Sequence, residues 1–302
     1  MAKMKDADQF NDEHYLELIL KGLQERHGVD FSLYRKGTVR RRLFRRMAAT
    51  NSENYRAYFY VLKKDPEEYA RLLRDLTIKV SRFFRNSCVF EILSDEILPD
   101  IMDAKKSRKD NTLRIWCPGC AFGEEAYSVA ITLVEYFEMH REKIEDINVS
   151  IFATDIDEDA LDRAMFGMYD SEGVKEVKKG VLDTYFTPIE GVKLRSQAGF
   201  TYDANYQVIE SIRNLVNFSK HDLTSETKKS PPAGVIANYG LILCRNVLVY
   251  FSQPLQKTAF SNLFNSLDPG GYLILGRSET IPKDLETHFI PQNPRYRIYK
   301  KK

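Results

Sequence analysis

Residues 113–125 read LRIWCPGCAFGEE, and the helical pattern AYSVAITLVEYFEMH carries on to residue 140. A β-branched and aromatic run that ends in a glycine turn before a helix is typical of the first strand and helix of a doubly wound α/β fold. Further strands are predicted at 149–157, 239–246 and 271–276. The alternation of strands with helices predicts a parallel sheet with helices on both faces, closed by an edge strand at 295–300.

The N-terminal part of the chain follows a different pattern. Its predicted elements are helices with apolar residues at helical spacing, at 12–27, 38–49, 53–63 and 66–77. We therefore predict an all-helical domain over residues 1–80 and an α/β domain over residues 81–302. Short alternating pieces at 186–218 lack a helical period and predict a small β-rich insertion in the α/β domain.

The composition is that of a globular protein, with 302 residues of which 43% are hydrophobic and 29% charged. No apolar run approaches the ~18–20 residues that cross a bilayer, and the polar N-terminus MAKMKDADQF does not resemble a signal peptide. We expect cytoplasmic localisation and no membrane insertion. The charge is uneven, because residues 1–90 hold 19 Lys and Arg against 12 Asp and Glu, which indicates an acidic partner.

The loop after the first strand combines glycines with carboxylates. Gly119 and Gly123 allow close approach of the backbone to a ligand, whereas Glu124 and Glu125 would repel a pyrophosphate from the helix N-terminus. A cationic nucleoside such as S-adenosylmethionine suits these charges; a tight turn with helix-capping glutamates is the alternative. Asp155, at the end of the second strand, is the predicted acceptor for ribose hydroxyls, and Asp157 is the expected N-cap of the next helix.

The two cysteines of this loop raise the alternatives of a redox site and a metal site. Cys117 and Cys120 have the spacing of a thioredoxin-type redox pair, but their inner residues are Pro-Gly and the simpler interpretation is two small buried side chains. A zinc site is not expected, because there is no second pair of cysteines at this spacing and the histidines are scattered. The sequence therefore predicts no metal.

A predicted helix carries an arginine cluster, and no Asp or Glu occurs between Asp30 and Glu53. Such a cluster is compatible with nucleic acid, with an acidic protein surface, or with a solvated helix face. The arginines are Arg40, Arg41, Arg42, Arg45 and Arg46.

These segments together resemble the chemotaxis receptor methyltransferases, which use S-adenosylmethionine to esterify glutamates of methyl-accepting chemotaxis proteins. The resemblance is collinear over nearly the whole chain and rests on six ordered blocks. They are TVRRRLFRRM at 38–47, LTIKVSRFFR at 76–85, GCAFGEEAYS at 119–128, ATDID at 153–157, CRNVLVYF at 244–251 and GGYL at 270–273.

The resemblance implies a class I, Rossmann-like methyltransferase domain with a small β-subdomain at about 186–218, preceded by a helical receptor-recognition domain. It implies S-adenosylmethionine as cofactor, S-adenosylhomocysteine as product, and no metal. The implied partners are the cytoplasmic helices of receptors rather than nucleic acid. In some family members the β-subdomain also binds a C-terminal tether peptide of the receptor by β-augmentation.

Site residues follow from the same resemblance. Asp222 is expected beside the adenine, Arg85 at the methionyl carboxylate or the substrate glutamate, and Tyr250 near the transferred methyl group. Arg85, Tyr250 and Arg245 form the implied catalytic set. The implied cofactor contacts are Lys79, Ser81, Arg85, Gly119, Glu125, Asp155, Asp222, Leu223, Arg245 and Asn246, and the implied receptor contacts are Arg41, Arg42, Arg45 and Arg46.

The chain departs from the family pattern at several positions. Lys79 stands where the family often has Asn, Phe122 where Ser or Thr is usual, and Gly240 where Asp is frequent. Ser81 keeps the hydroxyl of the usual Thr. These departures support a second hypothesis, in which the protein is a non-catalytic regulator that binds cofactor or receptor. A third hypothesis, a nucleic-acid methyltransferase, depends on the arginine cluster.

Overall fold

The computed structural model divides the chain into two compact units. Residues 1–78 and 250–256 form a helical unit, and residues 79–249 and 257–302 form an α/β unit. Residues 196–200 of the predicted β-rich insertion lie outside the described part of the chain. The structure describes residues 2–77, 79, 81–142, 144–195, 201–225, 227, 230–231 and 238–302, with side chains from residue 12 onward except at 145.

The helical unit confirms the helices predicted for the N-terminal residues. Its helices are α1 (Ala2–His27), α2 (Lys36–Ala49), α3 (Tyr55–Lys64) and α4 (Glu67–Leu76). The apolar row Val39, Leu43 and Met47 of α2 is buried, and α2 packs on α4 while α1 packs on α3. Hydrophobic burial along these faces holds the unit together, at about 25 cal/mol for each Å² of apolar surface.

An ion pair lies inside this unit. Glu68 is 2% exposed and accepts hydrogen bonds from Arg46 Nε at 2.9 Å and Nη2 at 2.8 Å. The Tyr58 hydroxyl donates to the same carboxylate at 2.9 Å. Burial opposes ionisation of Glu68, but the hydrogen bonds from Arg46 and Tyr58 outweigh it and lower the pKa of Glu68. The pair therefore contributes stability at neutral pH that is lost as acid protonates Glu68.

The strands of the α/β unit form two sheets. In the described part of the chain, the large sheet has seven strands in the order β6-β2-β1-β7-β8-β10-β9, and the small sheet has the order β3-β5-β4. Strands β6, β2, β1, β7 and β8 run parallel, while β10 is antiparallel to both its neighbours. The strands are β1 (Thr112–Pro118), β2 (Asn148–Asp155), β3 (Met168–Tyr169), β4 (Phe186–Arg195), β5 (Thr201–Val208), β6 (Val216–Lys220), β7 (Tyr239–Cys244), β8 (Leu267–Leu275), β9 (Phe289–Asn293) and β10 (Ile298–Lys301).

Helices connect the strands and cover the large sheet, as the alternation predicts. The helix α7 after β1 is largely buried, and Asp157 caps α8 by accepting a hydrogen bond from the Ala160 amide at 3.1 Å, as expected. A π-helical turn, Leu93–Ile97, separates α5 from α6. The helices are α5 (Cys88–Ile92), α6 (Leu98–Arg108), α7 (Glu124–Met139), α8 (Glu158–Phe166), α9 (Ser171–Val174), α10 (Lys179–Tyr185), α11 (Glu210–Arg213) and α12 (Gln253–Ser266).

Two strand predictions were wrong. The segment at 295–300 was expected at the edge, but β10 lies between β8 and β9. Pro291 lies within β9 and Pro294 directly follows it, and prolines this close together in sequence are typical of a turn. An edge strand tolerates proline, however, because its outer N–H groups need no partner. The alternating pattern predicts that the segment at 215–219 belongs to the insertion, but β6 pairs with β2 in the large sheet. The prediction fails because a five-residue alternating strand does not reveal which sheet it joins.

No described helix is both long enough and apolar enough to cross a membrane.

We expect Arg46→Met to lower the free energy of unfolding of the helical unit by about 3–5 kcal/mol, because the buried Glu68 charge loses its partner. Urea unfolding of the full chain, followed by hydrogen exchange of α2 and α4, measures this loss. The matched control is Arg71→Met, since Arg71 also contacts Glu68 but is 37% exposed, and we expect a loss below about 1 kcal/mol. Equal losses in the two variants would contradict the special role of Arg46.

Candidate functional site

The loop after β1 approaches its neighbours closely enough to require glycine. Gly119 has φ +68°, and a Cβ atom at this position would lie 2.4 Å from Val247 Cγ2. Gly123, with φ +90°, stands directly before α7, where a Cβ atom would lie 3.0 Å from the Phe218 ring. The two predicted glycines thus bring the loop close to the chain that follows β7 and to β6.

Asp155 fixes this loop from the end of β2. Its Oδ2 accepts a hydrogen bond from the Ala121 amide at 2.9 Å, and its Oδ1 accepts one from the Asp157 amide at 3.1 Å. Burial raises the pKa of Asp155, and these two amides partly oppose the rise. The Lys79 ammonium lies 2.5 Å from Asp157 Oδ2, so Lys79 neutralises the neighbouring carboxylate.

The predicted adenine-side residues follow β6, directly beside Asp155. The His221 amide donates to the Asp155 carbonyl oxygen at 3.0 Å. Asp222 Oδ1 accepts hydrogen bonds from the amide of Thr224 at 2.8 Å and from its hydroxyl at 2.6 Å. Leu223 is buried, and its carbonyl oxygen accepts a hydrogen bond from Asn262 Nδ2 at 2.9 Å. The ends of β2 and β6 therefore bring Asp155, Asp222 and Leu223 to one edge of the sheet.

The Arg245 guanidinium connects Glu125 with the backbone of Arg85. Arg245, at the end of β7, lies with Nη1 2.7 Å from Glu125 Oε2, and its side chain is 2% exposed. Its Nη2 donates to the Arg85 carbonyl oxygen at 2.8 Å and to Asn86 Oδ1 at 2.9 Å. Burial raises the pKa of Glu125, and the charge of Arg245 opposes the rise. In the described residues, Arg245 Nε is buried without a hydrogen-bond partner.

Glu279 is a residue of this site that sequence reasoning missed. It is 4% exposed, and its Oε2 accepts hydrogen bonds from the amides of Asn246 at 2.9 Å and Gly276 at 2.7 Å. Its Oε1 accepts one from the Val249 amide at 3.2 Å. Asn246 has φ +62°, so Glu279 holds the chain after β7 in a left-handed conformation. The one available signal in the sequence is a carboxylate three residues after Gly276, the glycine that directly follows β8.

Tyr250 falls in a different unit from the other catalytic candidates, Arg85 and Arg245. Tyr250 belongs to the helical unit, where its carbonyl oxygen accepts a hydrogen bond from the Arg35 amide at 2.9 Å. Its location near a transferred methyl group stays a prediction.

The arginine cluster of α2 does not share one environment. Arg41 and Arg45 are exposed and Arg42 is partly exposed, and they flank Phe44, which is 56% exposed. Arg46, grouped with them as a receptor contact, instead points into the helical unit and binds Glu68. The resemblance implied a receptor contact at Arg46, but its guanidinium is paired with the buried carboxylate of Glu68 on α4.

The thiol hypotheses receive no support from the geometry. Cys117 and Cys120 are free and buried, and burial raises the pKa of both thiols well above the ordinary value. Reactive cysteines need a stabilised thiolate, so these two match the simpler interpretation as packed side chains. Within the described ranges, no group of three or more His, Cys, Asp and Glu side chains is arranged to hold a metal ion.

Comparison with known proteins assigns the two parts of the chain to domain families. Residues 79–296 match the CheR methyltransferase, SAM-binding domain, and residues 14–77 match the CheR methyltransferase, all-alpha domain. The α/β unit therefore has the fold of an S-adenosylmethionine-binding methyltransferase domain, and an all-helical domain precedes it in the sequence. The chain belongs to the CheR family of chemotaxis methyltransferases.

Relatives agree with this assignment over most of the chain. The chain is 31% identical over 261 residues to chemotaxis protein methyltransferase 2 of Vibrio cholerae, covering 86% of this chain and 83% of the relative. It is 29% identical to the chemotaxis protein methyltransferase of Borreliella burgdorferi, with 91% of each chain covered. It is also 30% identical to an uncharacterized 104.1 kDa protein of Rhodobacter capsulatus, covering 90% of this chain but 26% of that protein.

We expect Glu279→Ala to destabilise the α/β unit by about 2–4 kcal/mol, because three amides lose their buried acceptor. Thermal unfolding measures the loss, and calorimetric titration with S-adenosylhomocysteine measures the accompanying fall in affinity. Glu286→Ala is the control, since Glu286 is exposed in the same unit. An unchanged melting temperature in Glu279→Ala would contradict the anchoring role.

Proposed function

We propose that this protein transfers the methyl group of S-adenosylmethionine to glutamate side chains in the cytoplasmic helices of methyl-accepting chemotaxis receptors. The carrying observation is the buried cluster in which Arg245 joins Glu125 to the segment that bears Arg85. Family membership and the names of the relatives support the methyltransferase and chemotaxis parts of this proposal.

The polar groups at the carboxyl edge of the large sheet suit S-adenosylmethionine. Each Asp155 carboxylate oxygen accepts one amide hydrogen bond, which leaves each oxygen a lone pair for a ribose hydroxyl. Gly119 allows the loop backbone to approach the cofactor closely, and Asp222 and Leu223 are proposed to contact the adenine. Lys79, Ser81 and Asn246 complete the proposed contacts around this edge.

The chemistry requires placement rather than a general base. S-adenosylmethionine supplies an electrophilic methyl group on a positively charged sulfur. Arg85 would hold the methionyl carboxylate or the substrate glutamate by charge, Arg245 would keep Glu125 and the Arg85 backbone in place, and Tyr250 is proposed beside the methyl group. A receptor glutamate is already ionised at pH 7, so its oxygen forms the new bond to carbon while the carbon–sulfur electrons stay on sulfur. No proton moves, and positioning alone can contribute effective molarities of ~10⁵–10⁸ M.

The sheet edges and the arginines of α2 suit the proposed partners. Arg41, Arg42 and Arg45 present positive charge that would attract an acidic receptor helix. In the small sheet, β4 is an edge strand, so its outer backbone groups could pair with an added strand of a tether peptide.

The decisive experiment incubates the protein with methyl-labelled S-adenosylmethionine and the cytoplasmic fragment of a receptor from the same organism. We expect label in base-labile methyl esters, and its loss in Asp155→Ala because the cofactor loses its ribose acceptor. Asp284→Ala, an exposed aspartate of the same unit, is the control. Binding of S-adenosylhomocysteine without any transfer would instead identify the non-catalytic regulator.

We expect Arg41→Glu/Arg45→Glu to lower kcat/KM for the receptor fragment at least about tenfold, since it replaces attraction by repulsion. Affinity for S-adenosylhomocysteine should be unchanged. The matched control is Lys63→Glu/Lys64→Glu on α3, which changes the net charge equally at exposed positions. Equal losses in both double variants, or steeply salt-dependent RNA binding, would contradict the proposed receptor surface.

A further inference from the structure

The loop after β1 has a strained backbone. Ala121 has φ +50°, and Gly119 and Gly123 on either side of it have φ +68° and φ +90°. A residue other than glycine is strained in this left-handed region, so contacts from outside the loop are needed to hold it. The Ala121 amide donates the 2.9 Å hydrogen bond to Asp155 Oδ2. The conformation of this loop therefore decides how firmly the proposed ribose acceptor is held.

Phe122, the next residue of the loop, is held at its ring and at its carbonyl group. Arg163 Cζ, on α8, lies 4.4 Å from the centroid of the Phe122 ring, and Lys79 Nζ lies 5.8 Å from it. A cation within about 6 Å of a ring centroid is attracted by the negative face of the ring. The Phe122 carbonyl oxygen accepts a hydrogen bond from the Tyr169 hydroxyl at 2.6 Å. Since Tyr169 belongs to β3, the small sheet supplies one of these contacts.

These contacts connect two of the departures from the family pattern. Phe122 and Lys79 both differ from the residues usual at their positions, and they lie against one another. A Ser or Thr at position 122 would offer no ring to a cation. Lys79 also pairs with Asp157, which is the N-cap of the helix that carries Arg163. The two departures therefore belong to one set of contacts between the loop and α8.

Arg163 connects Phe122 to the small sheet a second time. Its Cζ lies 4.9 Å from the centroid of the Tyr202 ring on β5. Among the described residues, Arg163 Nε is buried without a hydrogen-bond partner, so the two rings rather than a hydrogen bond at Nε orient the guanidinium. Arginine suits this position because its planar group stacks on aromatic rings, whereas a lysine ammonium is a compact point charge.

We propose that Arg163 is a positioning residue, which holds Phe122 beside the small sheet and so keeps the Ala121 amide on Asp155. Without the guanidinium, the Phe122 ring loses its nearer cation and the strained loop relaxes. Asp155 then loses an amide partner and is no longer fixed before the cofactor binds, and ordering it on binding lowers the affinity. The effect on cofactor affinity rests on the proposed function, whereas the effect on the loop does not.

The test is calorimetric titration of the full chain with S-adenosylhomocysteine, at a temperature at which every variant is folded. We expect Arg163→Met and Phe122→Leu each to lower the affinity about fivefold. The double variant should also lose about fivefold rather than the product of the two losses, because both changes remove the same contact. Arg163→Lys should recover part of the affinity, since it restores the charge without the planar group.

Three further variants separate positioning from a general loss of packing or charge. Phe166→Leu changes an exposed phenylalanine of α8, and Arg108→Met removes an exposed arginine of α6; both should keep the original affinity. Tyr202→Leu lies outside the proposed cofactor contacts and should lower the affinity about twofold, because Arg163 keeps its other ring. An unchanged affinity in Arg163→Met would overturn the inference, and so would multiplicative losses in the double variant of Arg163 and Phe122.

A second measurement needs no ligand. Hydrogen exchange of the Ala121 amide reports on its bond to Asp155. We expect its protection to fall severalfold in Arg163→Met and in Phe122→Leu, while the amides of β7 keep theirs. Equal protection of the Ala121 amide in Arg163→Met and in the unaltered protein would overturn the inference. If S-adenosylhomocysteine does not bind but the Ala121 protection falls as expected, the proposed function fails while the positioning role stands.

Discussion

The buried ion pair between Arg245 and Glu125 is the interaction on which the α/β site depends. It joins the end of β7 to the first turn of α7, and the second nitrogen of the same guanidinium holds the segment that bears Arg85. Arginine suits this place because its planar fork can donate in several directions while staying charged. A lysine would neutralise Glu125 but could not also hold Arg85 and Asn86 in the same geometry.

Backbone groups around this pair are held by carboxylates rather than by sheet hydrogen bonds. Asp155 accepts a hydrogen bond from the Ala121 amide in the loop after β1, and Glu279 accepts hydrogen bonds from the Asn246 and Val249 amides in the chain after β7. Both carboxylates lie at the carboxyl ends of parallel strands, where a doubly wound fold leaves a crevice. Ala121 and Asn246 adopt left-handed conformations, and the hydrogen bonds from their amides to these two carboxylates compensate for the strain.

The sequence predicts the parts of the structure that depend on local pattern. The first strand, the glycine loop and α7 follow from the change from strand alternation to helical period, and Asp155 follows from its position after a buried strand. Strand order depends on contacts distant in sequence, so the places of β6 and β9 were not predictable from short segments. Glu279 and the inward orientation of Arg46 were missed for the same reason, since each is defined by a buried partner on another element.

The burial of the cysteines has a practical consequence for solution work. Cys117, Cys120 and Cys244 are enclosed, and Cys88, at the start of α5, is the partly exposed one among the four. Thiol reagents in native buffer should therefore modify Cys88 selectively. It lies two residues after Asn86, so a fluorophore attached there would report on the segment beside Arg85 without any engineered cysteine.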